Sequence, residues 1–323
     1  MPQEKPKLVS VGDNFLTCPA DHHLPYFKRY FDVTNFNPQQ DYDKSHTFIY
    51  KYDKDLKHVA HYKNKGCLFI ADGLWEKTFL CDTNFNDKTL GLINNGYQDN
   101  ASIVQVPKWF WFEEHIGQKQ KKMQIESWPH EHLKEKDFLM QVGIDKWPRP
   151  LLIEKLEQNK LLNNSLYSIL YQGRALEGEI KGYSNSNKNI LQRNYKSEWY
   201  NKTYYTMVVE STCDHGTFIT EKTFKPIMYG HPFIVLGNPG IMSQLESWGF
   251  MTFNNLFDQK YDSMMDFDKR FTEIIKQMNH FKYQDCKLAV EHNFKRFWDS
   301  NLVENLMKKE LIDPVLNFIS TYR

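Results

Sequence analysis

The sequence lacks the features that mark a secreted or membrane-spanning chain. No apolar run approaches the ~20 residues that a helix needs to cross a bilayer. The first residues, MPQEKPKLVSVGDNF, carry charge and proline where a signal peptide has an apolar core of about 7–15 residues. The five cysteines are scattered and form no Cys-x-x-Cys pair, as in proteins of a reducing compartment. We therefore expect a soluble, cytoplasmic protein with no membrane span and with free, buried thiols.

The chain also lacks an excess of charge of either sign. Lysine and arginine number 41 against 40 aspartates and glutamates, which leaves a formal net charge of +1. No overall field therefore attracts nucleic acid, although a local basic groove could do so. Nucleic acid is thus a possible but not a favoured partner.

Length and composition predict two domains. The 323 residues, 41% of them hydrophobic, can form two cores of ordinary size. A polar, basic stretch that begins near residue 117 separates the two halves. We place the N-terminal domain at residues 1–125 and the C-terminal domain at residues 126–323.

Short apolar segments alternate with helical patterns in both halves of the chain. After about residue 266 only helices are predicted, and residues 250–253, FMTF, are predicted to form a short strand. Alternation of this kind, with nearly continuous apolar strands, is typical of an α/β fold whose parallel sheet is covered on both faces. The clearest predicted strands are LVSVG (8–12), TFIYKY (47–52), CLFIADG (67–73), SIVQV (102–106), DFLMQVG (137–143), SLYSILY (165–171), TYYTMVVE (203–210) and PFIVLG (232–237), and residues 149–162 are predicted to form a helix.

Residues 218–237, FITEKTFKPIMYGHPFIVLG, place an acid and a base before a predicted helix that leads into a buried strand. If Thr223 caps this helix, Pro226 falls in its first turn. If Thr220 is the cap, the proline lies deeper and would bend the helix. In either case Glu221 and Lys222 stand at a helix start, at the carboxyl edge of a parallel sheet.

Ligands of open α/β sheets bind at that edge, and a helix N-terminus with unpaired N–H groups favours a phosphate. Lys222 or Lys225 could add a positive charge to a diphosphate. Glu221, an acceptor-only carboxylate, suits the paired hydroxyls of a ribose or another sugar. The residues therefore predict a pocket for a nucleotide or nucleotide sugar. An exposed ion pair at a helix start is the alternative interpretation.

The longer run VVESTCDHGTFITEKTFKPIMYGHPFIVLG, residues 208–237, resembles the donor-binding signature of fucosyltransferase-like glycosyltransferases of the GT-B architecture. In that signature a strand ending in Glu precedes an aromatic-x-Thr-Glu-Lys motif, a helix and an apolar strand ending in Gly. The resemblance implies two Rossmann-like domains that face a cleft. It implies an N-terminal, acceptor-side domain and a C-terminal domain that binds a nucleotide-sugar donor, with a helical C-terminal segment.

The resemblance also implies roles for the residues of the motif. Glu221 would hold sugar or ribose hydroxyls, and Lys222 would hold the diphosphate. Glu210 matches the strand-terminal acid, and Thr220 is the threonine of the motif. Phe218 stands where the family often carries Tyr, which removes a hydroxyl and leaves stacking.

An arginine is expected to meet the leaving phosphates as well. The segment VGIDKWPRPLLIEKL resembles the part of the family that directs an arginine toward them, which places this role on Arg149. Arg174, in YQGRALEG, and Arg193 are alternatives.

The implied activity is transfer of a sugar from a nucleotide sugar to a glycan or other hydroxyl acceptor, with inversion and without a metal or other cofactor. Cations and N–H dipoles can stabilise a leaving diphosphate by themselves. We expect the Asp-x-Asp triplets, which begin at residues 41, 53 and 266, to cap helices or face solvent rather than bind metal.

The acceptor hydroxyl needs a general base, which we expect in the N-terminal domain. The candidates are Asp13, Asp72, Glu113 and Glu114. Two other functions remain open: a phage-type DNA glycosyltransferase that modifies hydroxylated bases, and a nucleotide- or carbohydrate-binding protein without catalytic activity.

Overall fold

The computed structural model describes residues 5–11, 24–35, 37, 39–40, 46–50, 68–72, 89–93, 103–118, 134–142, 147–171, 174–178, 197–211, 213 and 217–322. Within these ranges the strands are β1 Lys7–Val11, β2 Asp32–Asn35, β3 His46–Tyr50, β4 Leu68–Asp72, β5 Thr89–Ile93, β6 Ile103–Gln105, β7 Lys136–Val142, β8 Ser165–Tyr171, β9 Arg174–Gly178, β10 Thr203–Val209 and β11 Phe233–Leu236. The α-helices are α1 Leu24–Phe27, α2 Trp109–Gln118, α3 Arg149–Gln158, α4 Ser197–Lys202, α5 Glu221–Met228, α6 Ile241–Ser247, α7 Phe267–Asn279, α8 Lys287–Trp298, α9 Ser300–Met307 and α10 Asp313–Tyr322. Short 3₁₀ helices cover Leu161–Asn164 and Gln259–Ser263, and a π-helical turn covers Lys308–Ile312.

The chain divides into two compact units. Unit 1 comprises Met1–Lys122 together with Asp299–Arg323, and unit 2 comprises Met123–Trp298. The last residues of the chain therefore group with the N-terminal residues, whereas the sequence analysis assigned all of 126–323 to one domain.

Contacts within unit 1 explain this grouping. The Tyr26 hydroxyl donates to the Glu304 carbonyl at 2.8 Å, and Arg29 pairs with the Glu304 carboxylate at 3.1 Å. Lys108 forms an ion pair with Glu310 at 2.5 Å. The partners lie about two hundred residues or more apart along the chain, so these contacts become visible only in the folded structure.

Unit 1 contains a six-stranded sheet in the order β2-β1-β3-β4-β5-β6, in which every described pair of neighbours is parallel. The chain passes from β1 to β2 on one side and then to β3 on the other side of β1. The core of this unit includes fully buried side chains from β1, α2 and the C-terminal helices: Leu8, Val9, Trp111, Phe112, Leu311, Ile312 and Val315.

Unit 2 contains a five-stranded sheet in the order β11-β10-β7-β8-β9. Strands β11, β10, β7 and β8 are parallel, and β9 pairs with β8 in the antiparallel direction. Strand β11, with the sequence FIVL, is buried at all four residues although it is the terminal strand of this order, as expected where helices cover both faces of a parallel sheet. The predicted α/β class with parallel sheets is confirmed.

From α7 onward the elements of the chain are helices. Asp266 caps α7 through a hydrogen bond from the Lys269 N–H to its carboxylate at 3.0 Å, which is the capping role expected for the third Asp-x-Asp triplet. Helix α6 ends before Gly249, which has a φ of +82°, in the left-handed region that favours glycine.

Three details of the sequence prediction were wrong. Residues 250–253 form no strand, because the Met251 N–H and carbonyl bond to the Asn293 side chain at 2.7 and 2.8 Å. The helix predicted over 149–162 ends at Gln158, and Lys160 has a φ of +57°. The third error was to miss the strands β2, β5 and β9 and the helices α1, α2 and α4.

Candidate functional site

The carboxyl edge of the unit 2 sheet gathers the predicted donor-binding residues. The chain runs from β7 to β8 on one side and later to β10 on the other side of β7, so the topological switch point lies between β7 and β10. Ligands of open parallel sheets bind outside the carboxyl ends of the strands at such a point. Arg149 begins α3 after β7, and Glu221 and Lys222 begin α5 after β10. Arg174 lies opposite Tyr171, the last residue of β8, at the same edge but one strand farther away.

Glu210 follows β10 and is 1% exposed. One carboxylate oxygen, Oε1, accepts hydrogen bonds from the Thr220 N–H at 2.9 Å and the Thr223 hydroxyl at 2.6 Å. The other, Oε2, accepts from the Thr220 hydroxyl at 2.6 Å and the Ser211 N–H at 3.3 Å. Four donors of the chain therefore occupy this carboxylate. In this structure Glu210 fastens the start of α5 to the end of β10.

Thr220, not Thr223, is the N-cap of α5. Its backbone is extended, with φ −110° and ψ −176°, and its hydroxyl accepts from the Lys222 N–H at 3.3 Å. Pro226 consequently lies inside the helix, which is the second of the two arrangements that the sequence left open. The Thr223 N–H bonds to the Thr220 carbonyl at 3.2 Å.

The first turn of α5 thus differs from the expected cradle of unpaired N–H groups, since the N–H groups of Lys222 and Thr223 already have partners. Any anion at this helix start would depend mainly on side-chain charge. Helix α3 differs in this respect, because no side chain caps its first turn and Arg149, which is buried, is its first residue.

The Lys222 ammonium donates three hydrogen bonds. Its acceptors are the Glu221 carboxylate at 2.9 Å, the Ser211 hydroxyl at 3.1 Å and the Thr220 hydroxyl at 3.1 Å. The side chains of Lys222 and Glu221 are each 21% exposed, so the pair is partly shielded from water. Ser211 was not singled out by the sequence analysis, although its place directly after the strand-terminal Glu210 could have indicated it.

Electrostatics keep Glu221 ionised. Burial alone would raise the pKa of its carboxyl, but the charges of Lys222 and Lys225 and the hydrogen bond from Lys222 outweigh burial and lower the pKa to about 2. Lys225 therefore acts on the same carboxylate from one helical turn away. Glu221 is a negatively charged acceptor over the whole physiological pH range.

Phe218 lies in the core rather than at the surface. Its ring is 2% exposed, so it offers no open face for stacking in this structure. Its burial helps to fix the backbone that leads to Thr220. A stacking partner for a ligand would have to be another aromatic residue.

Arg270 is a further residue of this edge that the sequence analysis missed. It is 1% exposed, and its guanidinium donates to the Gly237 carbonyl at 3.1 Å, to the Cys213 carbonyl at 2.6 Å and to the Met264 carbonyl. These acceptors belong to the segments that follow β11 and β10 and to the turn before α7. Arg270 therefore ties together three segments at the carboxyl edge. An arginine 33 residues beyond Gly237, where the motif ends, gives no local signal of this role.

The general-base candidates are distributed over unit 1. Asp72 is the last residue of β4, at the carboxyl edge of that sheet. Glu113 and Glu114 lie within α2 rather than at a strand end, and each is half-buried. Asp13 lies outside the described residues, two positions after β1.

The part of the chain that the structure describes contains no group of three or more His, Cys, Asp or Glu residues placed to hold a metal ion. The Asp-x-Asp triplets that begin at residues 41 and 53 lie outside the described residues, as does Arg193. Cys213 and Cys286 are buried and form no disulfide bond with each other. None of the described helices is long and apolar enough to cross a membrane.

The chain resembles known proteins in its three-dimensional structure but not in its sequence. No protein-family model matches the sequence, and no curated protein sequence matches it. A crystal structure of the DNA-modifying enzyme β-glucosyltransferase, in the presence and absence of its substrate uridine diphosphoglucose, has a TM-score of 0.51 and 12% identity, over 97% of this chain and 99% of that chain. A crystal structure of an α1,3-fucosyltransferase with GDP-fucose has a TM-score of 0.49 and 13% identity, over 94% of this chain and 92% of that chain.

The chain has the GT-B fold. The structural match to the β-glucosyltransferase covers 97% of this chain and 99% of that chain, so it is not limited to one of the two sheets. The α/β class with parallel sheets and the likeness to GT-B enzymes that the motif of residues 208–237 led us to expect are thus confirmed.

Proposed function

We propose that this chain is a glycosyltransferase that moves a sugar from a nucleotide-sugar donor to an acceptor hydroxyl, and that unit 2 binds the donor. The observation that carries the proposal is the placement of Arg149, Glu221 and Lys222 at the switch point of a parallel sheet. The GT-B fold supports it, since the solved enzyme of this fold named above is a glucosyltransferase whose substrate is uridine diphosphoglucose.

The chemistry of the site suits this reaction. Breaking the bond between the sugar and a nucleoside diphosphate builds negative charge on the leaving phosphate. Fixed cations that meet this charge stabilise the transition state more than the ground state and so lower the barrier. Lys222 and Arg149 would supply these cations, with Lys225 about one turn farther along α5 and Arg174 at the start of β9, two strands from β7.

Donor binding would exchange partners at the start of α5. A lysine ammonium has three donor hydrogens, and those of Lys222 all point to acceptors of the chain. A phosphate oxygen could replace the Glu221 carboxylate as one of these acceptors. The released carboxylate, still ionised, would then accept hydrogen bonds from sugar or ribose hydroxyls. The ion pair of the ligand-free chain thus holds both groups ready for a donor.

On the acceptor side we propose an inverting, metal-independent transfer with a general base from unit 1. Asp72 is supported by its place at a carboxyl strand end, and Asp13 only by its sequence position two residues after β1. Glu113 and Glu114 are the alternatives. Each candidate can be replaced in turn by its amide. The base is the residue whose amide variant keeps its affinity for the donor but no longer transfers the sugar.

A hydroxylated base in DNA is a second candidate acceptor. The glucosyltransferase with a TM-score of 0.51 is named as a DNA-modifying enzyme, which favours testing DNA beside glycans. Binding to duplex DNA that weakens steeply with salt would support this acceptor, because phosphate contacts release counterions.

Substitution of the ion pair tests the proposal. Lys222→Ala should lower the turnover number roughly 30-fold to 1,000-fold, as the loss of other preorganised charges does. Glu221→Gln should weaken donor affinity roughly 10-fold to 100-fold, because a charge-assisted hydrogen bond is lost. The assays are calorimetric titration with UDP-glucose and GDP-fucose and detection of released diphosphate.

The matched control is the ion pair of Lys276 and Glu273 on α7, with an N–O distance of 3.2 Å. Lys276→Ala and Glu273→Gln should leave both measurements unchanged, since exposed pairs contribute only about 0–1 kcal/mol to stability. If the Lys222 and Glu221 variants match this control, the donor-site assignment is wrong. Saturable donor affinity without diphosphate release would instead indicate a binding protein.

A further inference from the structure

Trp147 is a large aromatic residue that the fold leaves half exposed. Its side chain is 51% exposed, and it stands two residues before Arg149. Its ring centre lies 4.6 Å from that of Phe267, at an interplanar angle of 48°. The indole therefore contacts Phe267, and about half of its surface is exposed to solvent. Among the large apolar side chains that the structure describes as exposed, it is the only aromatic one.

A chain of contacts places Trp147 at the switch point. Phe267 begins α7, and the Arg270 guanidinium carbon lies 5.8 Å from the centre of its ring. Arg270 in turn bonds to the carbonyls of Gly237 and Cys213, which follow β11 and β10. Trp147 itself belongs to the segment that follows β7. The segment after β7 therefore reaches residues held against the ends of β10 and β11.

Trp147 lies where the nucleobase of a bound nucleotide donor could reach it. A diphosphate held by Arg149 and Lys222 carries a nucleoside whose flat base must meet some surface of the protein. Aromatic side chains accept any base on their faces, because every base has a π-face. Trp147 is close to Arg149, with about 7 Å of extended chain at most between their Cα atoms. Phe218 offers no such face, since it is 2% exposed.

We propose that the nucleobase of the donor stacks on the exposed part of the Trp147 ring, which packs against Phe267. This inference rests on the proposed function, because it takes the diphosphate to lie between Arg149 and Lys222. It assigns recognition of the nucleobase to the segment after β7 and not to Phe218, the aromatic residue of the aromatic-x-Thr-Glu-Lys motif.

The test separates base from phosphate by using three probes: UDP, GDP and inorganic pyrophosphate. Each is titrated calorimetrically into the full-length wild type, Trp147→Ala and Trp147→Phe. Trp147→Ala should weaken the binding of UDP and GDP roughly fivefold to a hundredfold, the range expected for base–aromatic stacking. It should leave the affinity for pyrophosphate unchanged. Trp147→Phe should recover most of the lost affinity. Leu288→Ala, at an exposed apolar residue of α8, is the control and should change the affinity for none of the three probes.

Two outcomes would overturn the inference while leaving the proposed function in place. The first is unchanged UDP and GDP affinity in Trp147→Ala. The second is an equal loss for the nucleotides and pyrophosphate, which would mean that the substitution disturbs the phosphate site and not the base. If the wild type binds none of the three probes and no nucleotide sugar, the proposed function fails, and the inference fails with it.

Discussion

Glu210 gives the sharpest test of how the candidate site is held together. Its buried carboxylate accepts four hydrogen bonds from Ser211, Thr220 and Thr223. Glutamine has nearly the same shape but no charge, and its NH₂ group replaces one acceptor oxygen by a donor. That group would face the Ser211 N–H or the Thr220 N–H, each of which is itself a donor. The substitution thus removes the charge and leaves at least one donor without an acceptor.

The expected loss follows from these contacts. A hydrogen bond to a charged group contributes about 1.5–3 kcal/mol, and an unsatisfied buried donor costs about 1–3 kcal/mol. Since glutamine can keep two of the four bonds and loses the other two, we expect Glu210→Gln to lower the free energy of unfolding by roughly 3–6 kcal/mol. Thr223→Val, which removes one hydroxyl donor at constant shape, should cost about 1–2 kcal/mol.

A double-mutant cycle measures the interaction directly. The Thr223 hydroxyl donates to Glu210 at 2.6 Å, so the two substitutions should be non-additive by roughly 1 kcal/mol. Urea denaturation followed by circular dichroism supplies the four free energies. The control is the exposed hydrogen bond from Thr252 to Glu246, at 2.8 Å in the same unit. Glu246→Gln should change the free energy by less than about 0.5 kcal/mol.

The reasoning would be refuted by a Glu210→Gln variant as stable as Glu246→Gln. It would also be refuted by additive free energies in the cycle with Thr223→Val, since additivity means that the two groups do not interact.

Two further predictions concern the same edge of the sheet. Because the pKa of Glu221 falls from 4.5 to about 2 on folding, its stabilising effect is complete above pH 4.5 and is lost as the pH falls toward 2. Between about pH 6 and pH 3 the wild type should therefore lose roughly 2 kcal/mol more of its unfolding free energy than Glu221→Gln, and equal pH profiles from urea denaturation would contradict this. Arg270→Lys should lower the unfolding free energy by roughly 2–4 kcal/mol, because one ammonium cannot span the carbonyls of Gly237 and Cys213 as the guanidinium does. The same variant should weaken pyrophosphate binding, and unchanged stability by urea denaturation would show that these contacts contribute little.

The sequence predicts the regular elements of unit 2 well where local pattern decides the structure. Strands β7, β8, β10 and β11 have nearly continuous apolar sequences, and the structure confirms them within one or two residues. It fails where the signal is weak: β2, with the sequence DVTN, is an edge strand with exposed polar residues. It also fails where a distant side chain decides, as when Asn293 takes the backbone partners of Met251.

The candidate site divides in the same way. The motif locates Glu221 and Lys222, because an acid and a base at a helix start form a local pattern. Glu210 matches the same motif, but its four hydrogen bonds arise only when α5 folds back against the end of β10. Arg270 contacts Cys213, more than fifty residues away along the chain, and Trp147 contacts Phe267, more than a hundred residues away. Periodicity and spacing carry no information of that kind.

The two acids that flank the segment before α5 therefore have different tasks. Glu210 is enclosed by donors and fixes the Thr220 cap, and the cap hydroxyl in turn holds the Lys222 ammonium. Glu221 is partly exposed, remains ionised and shares that ammonium. A charge that is positioned before the ligand arrives needs little reorganisation when the bond to the leaving group breaks. In the proposed reaction Glu221 and Lys222 would therefore meet the donor in a geometry that a second, buried acid, Glu210, helps to set through the Thr220 cap.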